Sequence, residues 1–279
     1  MTARGDARDR FAALVRADDV DLAGAALLMG SEVDADFDPA DSVAELDRLA
    51  AAVAAEAGRD PEPKRAAAAL AHVLGGRARF FGRQSDYADL RSSLLHEVLR
   101  RRRGLPILLS TVWIDVGRRA GIPVFGVALP GHFVVGIGDP DDAFELADPF
   151  HGGVPLSRAR ARLLAAEAGG QASDPALLRP APATTILLRV LNNIRAWAAQ
   201  PERGVEGAWT RLWAVELSLL LPRHPAALRH ERGSLLALTG RFEAGARQLT
   251  EYADLIEGID PKVSAAVRAE AKAARARLS

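Results

Sequence analysis

The chain has 279 residues, 49% hydrophobic and 26% charged, proportions of a globular protein with one large domain or two ordinary ones. Its 36 basic and 36 acidic side chains cancel, so no overall field draws it to nucleic acid or a membrane surface. The absence of cysteine excludes disulfides, thiolate metal sites and thiol redox chemistry. The opening run MTARGDARDR alternates charges with no apolar core behind it, unlike a signal peptide, and no run reaches the roughly 18–20 apolar residues a membrane span needs. A soluble cytoplasmic protein is expected.

From Phe11 to about Gly58 the pattern is helical and acidic. Phe11, Leu14 and Val15 start one amphipathic helix. A second carries Leu22, Ala25, Ala26 and Met29, with Asp21 or Asp19 as its cap. Asp38-Pro39 and Asp41-Ser42 announce a third, with Val43, Leu46, Leu49, Ala50 and Val53 at helical spacing. Asp60-Pro61-Glu62-Pro63 then breaks the chain before an alanine-rich helix, Lys64 to Leu74, which Gly75-Gly76 should end. Phe80-Phe81-Gly82 through Tyr87 reads as an ordered loop whose aromatics plug the side of the core. Ser93 to Arg102 is a further helix. The run Arg100–Arg103 either meets an anionic partner or the acidic arm, or complements its own helix dipole; the second reading is preferred, because four arginines with little aromatic interleaving are a weak nucleic-acid signal.

The stretch Arg103 to Gly153 is the most informative. Pro106 to Ala120 is a helix with Pro at its first position, where a missing N–H costs nothing, and Gly121 then Pro123 end it. Val124–Leu129 and His132–Ile137 are short strands joined at Pro130-Gly131, the pair a type II turn wants. Ala143–Asp148 makes a third strand after the loop Asp139-Pro140-Asp141-Asp142. A buried helix followed by a three-stranded meander is expected. His132 opens the second strand in phase with Val134, and Asp148 closes the third in phase with Phe144 and Leu146.

Pro155 to Gly170 reads as a helix and 172–184 as a Pro-rich linker, dividing a first domain, 1–171, from a helical second one, 185–279. In the latter, Leu235, Leu236 and Leu238 precede Gly240-Arg241-Phe242, and Pro261 closes the next helix. The block Ala226 to Pro261 resembles a tetratricopeptide unit.

A helix, a strand bearing His and an adjacent strand bearing Asp resemble the transglutaminase-like (papain-like) core. The wording GLP…LPGHF…DPFHGG is similar, more narrowly, to the bacterial SirB-like branch, in which such a core is joined to a tetratricopeptide-type tail. The resemblance implies an α+β, mostly helical fold: a helical N-terminal arm, a core of one central helix plus a small antiparallel sheet, then an all-α tail. It also implies a Cys nucleophile at the helix N-terminus, with His132 as its base and Asp148 as the orienting carboxylate. The nucleophile would stand two residues after Gly104, and that residue is Pro106. Proline removes the thiolate that a helix N-terminus favours and also the amide that would help hold an oxyanion. Tyr87 matches the family's aromatic loop, whereas Ser92-Ser93 replaces its Asn-Ser pair.

Three chemistries follow. The favoured one is a non-catalytic module that binds a protein or peptide partner, with His132 and Asp148 kept as a hydrogen-bonded pair, with Tyr87, Arg103 and His151 as candidate binding residues, and with no nucleic acid, membrane or cofactor partner. The alternative is a hydrolase using Ser110, which shares the helical face of Pro106 about 6 Å further along the axis, with His132 and Asp148. Against it, a mid-helix Ser ordinarily bonds back to a carbonyl. The weakest is a metal or small-ligand site from His132, Asp148 and His151, since no regular element fixes Asp148 and His151 together; no metal is expected.

Overall fold

A computed structural model describes residues 3–171 and 173–278. Met1, Thr2 and Ser279 lie outside the described residues, as does Ala172, first residue of the expected linker. The chain falls into two compact units, Met1–Val190 and Leu191–Ser279. The fold is α+β and mostly helical, with one small antiparallel sheet, which lies in the first unit. Among the described residues no helix is long and apolar enough to cross a membrane.

The acidic arm forms α1 (Ala3–Arg16), α2 (Leu22–Leu28) and α3 (Ala40–Ala57). In α1 and α3 the apolar positions recur every three or four residues, so each buries one stripe, Phe11 and Val15 from α1 and Leu46, Leu49 and Val53 from α3, whereas α2 is buried on nearly every side. Asp21 caps α2, accepting from the Gly24 amide at 2.8 Å. Helix α4 (Pro63–Leu70) runs into a wide π turn, Ala71–Arg77. Gly75-Gly76 therefore does not break the helix as expected. Gly75 instead lets another backbone approach, because a Cβ there would lie 1.9 Å from the carbonyl oxygen of Gly152.

Helix α5 (Leu95–Arg101) ends at Arg102, which takes the left-handed conformation at φ 60°. Helix α6 (Pro106–Arg119) is the central element, with Pro106 in its first turn and Leu108, Leu109, Val112, Trp113 and Val116 wholly buried. It packs on α3, α5 and two strands, which is why it is apolar on nearly every side.

The sheet has the order β1 (Val124–Val127), β2 (Val134–Gly138), β3 (Phe144–Asp148), β4 (Val154–Leu156), all antiparallel. Two expectations are corrected. His132 does not open β2: Leu129, Pro130, Gly131 and His132 make the turn itself, with the His132 amide on the Leu129 carbonyl at 3.2 Å and Gly131 at φ +69°. This is the type II pattern, Pro then Gly at the two central positions, and pairing begins only at Val127 with Val134. The meander also has a fourth strand where a helix start was expected. Val154–Leu156 is short and contains Pro155, which confines it to a sheet edge and hides it from periodicity. Helix α7 (Arg158–Glu167) follows it. Within the Pro-rich segment, Ala181 donates its amide to the Gly126 carbonyl at 2.8 Å, so this stretch lies along the outer edge of β1 before α8 (Ala183–Ala198) begins.

The second unit continues from α8 through α9 (Gly204–Leu220), α10 (Ala227–Leu238), α11 (Phe242–Ile256) and α12 (Pro261–Arg275). Helices α10 and α11 form a close antiparallel hairpin. A Cβ on Gly233 would meet Leu249 at 2.8 Å, and one on Gly245 would meet Ala237 and the Gly233 carbonyl at 2.8 Å. Two glycines thus set the approach of the backbones.

Candidate functional site

His132, Asp148 and His151 converge at one end of the sheet. Asp148 closes β3 and is 6% exposed, and its carboxylate is fully engaged. Oδ1 accepts the Phe150 amide at 3.0 Å, which caps the single 3₁₀ turn Pro149–His151. Oδ2 receives two imidazoles, His132 Nε2 and His151 Nδ1, each at 2.8 Å. Burial acts to raise the Asp148 pKa, but the hydrogen bond and charge of His132, then those of His151, outweigh it and hold the group below its usual value. The carboxylate is thus ionised and can only accept, so both facing ring nitrogens carry hydrogen.

The turn bearing His151 is fixed backbone to backbone. Gly152 sits at φ +70° and donates to the Pro149 carbonyl at 3.1 Å, and Gly153 donates to the Asp148 carbonyl at 2.7 Å. The Phe150 carbonyl accepts from the Gly82 amide at 2.8 Å, which ties the turn to the aromatic loop. Phe150 stands edge-on to both histidine rings, with centroids 6.2 Å from His132 and 5.3 Å from His151. A regular element therefore does join Asp148 to His151, one the sequence pattern does not announce.

On the other side, Arg189 from α8 holds the histidine turn. Its Nη2 lies 3.4 Å from the carbonyls of Leu129 and His132, and its guanidinium stacks 5.4 Å from the Phe133 ring. Tyr87 is 45% exposed and faces the same region, its ring 6.4 Å from Phe150. Burial raises its pKa, the charge of Asp148 raises it further, and Arg189 opposes.

Pro106 is buried in the first turn of α6, whose side packs on the Pro149–His151 turn. Ser110 is fully buried, but its hydroxyl bonds neither His132 nor a helix carbonyl. The expected back-bond belongs to its neighbour, Thr111, which donates to the Ile107 carbonyl at 2.8 Å. Arg103 lies apart from the histidines in an ion pair with Asp86, a fully buried carboxylate, at 3.0 Å. The rest of the arginine run is similarly occupied, Arg100 by Glu97 at 2.7 Å, Arg101 by Asp89 at 2.9 Å and Arg102 by Glu45 of the acidic arm. Sequence reasoning missed Asp86, Phe150 and Arg189. Phe150 stands inside the quoted DPFHGG, whereas Asp86 and Arg189 carry no local signal.

A central helix packed against a small antiparallel sheet, with His and Asp brought together at the strand ends, defines the class. The chain belongs to the transglutaminase-like superfamily, whose family model matches residues 40–192. It is 37% identical over 198 residues to a UPF0162 protein of Xylella fastidiosa, covering 67% of each chain. A UPF0162 protein of Pseudomonas aeruginosa is 30% identical over 173 residues, 61% of this chain and 62% of that one. A shorter segment of 67 residues is 34% identical to F-box only protein 21 of Homo sapiens, 24% of this chain and 11% of that protein. No solved structure matches the chain.

Proposed function

We propose that this protein is a non-catalytic, SirB-like member of the superfamily, acting as a protein-interaction or regulatory module with a tetratricopeptide-type second unit. The observation that carries the reading is Pro106 in the first turn of α6, where the resemblance puts a cysteine, in a chain without any cysteine. Neither a thiolate nor a helix-terminal amide is available there. The unbonded, buried Ser110 supports the same conclusion, because a hydroxyl with no contact to His132 has no base. On this reading the His132–Asp148 pair satisfies two polar groups at the end of the sheet without performing a reaction.

The second unit supports the binding half. Its α10–α11 hairpin closes on glycines, and α9 exposes Val205 at 62% and Trp209 at 41%, one helical turn apart. A peptide or protein partner would cover them. The test is affinity capture with the full chain and with Trp209→Ala, beside assays of acyl and peptide hydrolysis by the purified protein. The expected result is a protein recovered by the full chain and depleted by Trp209→Ala, with no turnover. Turnover abolished in His132→Ala would overturn the proposal.

A further inference from the structure

We infer that His132, Asp148 and His151 form a binding site for a single divalent first-row metal ion of the zinc type. The inference goes beyond the module reading, which leaves the three side chains as a hydrogen-bonded remnant.

The donor set is two imidazole nitrogens and a carboxylate oxygen, all within 4.8 Å of one another. Zinc bonds of about 2.0–2.2 Å in tetrahedral geometry hold their ligand atoms about 3.3 Å apart. Both His-to-Asp separations are 2.8 Å, so the carboxylate need recede from each ring by only about 0.5 Å to reach that spacing. The remaining adjustment brings the two rings together. It falls on His151, whose side chain is 63% exposed, while that of His132 is only 17% exposed.

The surroundings do what the outer shell of a metal site does. Phe150 donates its amide to Asp148 Oδ1, which aims Oδ2 between the rings. The Phe150 ring braces both imidazoles, and Gly152 and Gly153 close the turn that carries His151. Moving the hydrogen of each ring to its other nitrogen frees Nε2 of His132 and Nδ1 of His151 as lone-pair donors without any net proton loss. A hydrogen-bonded remnant explains His132, which a buried carboxylate needs. It does not explain a second, solvent-facing imidazole ordered on the same oxygen. Three protein ligands leave a fourth position, open to water on the His151 side.

The test uses the full-length chain without a histidine tag, stripped with chelator and titrated with Co²⁺ while visible absorption is followed. The expected result is one Co²⁺ per chain with ligand-field bands, displaced by Zn²⁺. Affinity should fall at least about 100-fold in His151→Ala, given that losing even an outer-shell partner costs 10- to 100-fold. His151 is exposed, so this variant should keep its fold, checked by circular dichroism. His230→Ala removes the surface pair with Glu270 in the second unit and should leave binding unchanged. Absent bands, or binding indifferent to His151→Ala, would overturn the inference. Either outcome leaves the module reading standing, since that depends on partner capture and the lack of turnover.

Discussion

Arg103 Nε donates to Asp86 Oδ1 at 3.0 Å, and this carboxylate has no solvent exposure at all. The same oxygen receives Ser92 at 3.4 Å, while Oδ2 accepts the Arg83 amide at 2.8 Å. The pair pins the aromatic loop to the segment entering α6. Removing the cation leaves a buried negative charge without its counter-charge. Arg103→Ala should therefore destabilise the fold by about 2–3 kcal/mol, below the 3–5 of a fully buried pair because the guanidinium is partly exposed. Urea unfolding of Arg103→Ala, Asp86→Ala and the double variant would measure this, with strong coupling expected. Additive losses would refute it.

Ser110 gives the opposite expectation. Its hydroxyl is buried without a partner, so the folded state bears a desolvation cost that the unfolded state does not. Ser110→Ala should raise stability by about 1 kcal/mol, with helix propensity adding a little. A loss of stability on thermal unfolding would mean that the hydroxyl has a partner in solution.

Gly75 and Gly76 are adjacent but differ in what surrounds them. A Cβ on Gly75 would stand 1.9 Å from the Gly152 carbonyl oxygen, whereas Gly76 has its nearest neighbour at 3.8 Å. Gly75→Ala should cost about 1–3 kcal/mol and displace the turn bearing His151. Gly76→Ala should be neutral or stabilising by up to about 1 kcal/mol. Equal effects of the two substitutions in chemical denaturation would contradict this contrast.

His96 supplies a pH dependence. Its Nδ1 is buried without a partner, and its ring packs 4.6 Å from that of Phe37. Burial lowers its pKa below the usual 6.5, Glu97 and Asp34 act to raise it, and Arg100 lowers it. Between the folded value and about 6.5 the unfolded chain binds the extra proton, so stability falls as pH drops through that window. The groups facing it from its own and neighbouring elements are those three charges. Asp148 adds a second loss at lower pH, since its depressed pKa contributes stability that is complete above about 3.8 and is lost as pH falls from there through the lower folded value. Stability against pH in His96→Leu should lack the upper step and keep the lower. An unchanged upper step would assign it elsewhere.

Much of this was legible from local chemistry. Pro106, Gly121 and Pro123 mark the ends of α6, and Pro130-Gly131 marks the turn between β1 and β2, because these residues restrict the backbone by themselves. The meeting of His132 with Asp148 was implied by the resemblance to a transglutaminase-like core, although His132 stands in the turn before β2 and not on the strand itself. Other features were hidden for definite reasons. Strand β4 is too short to show a period. Gly75-Gly76 looks like a helix stop unless one knows that Gly152 lies opposite. The arginine run reads as a complement to its own helix dipole, and only the structure shows Glu45, Asp86, Asp89 and Glu97 beside it.

By itself, then, the sequence determined the ends of α6, the Pro130-Gly131 turn and the want of a cysteine nucleophile, since each depends on backbone limits or on which atoms exist. Only the tertiary structure decided that His151 joins the pair, that Ser110 has no partner, and that Arg103 is bound to Asp86. Those outcomes depend on side chains distant in sequence or aimed by a loop, and the direction of a side chain in space is set by packing that no local pattern encodes.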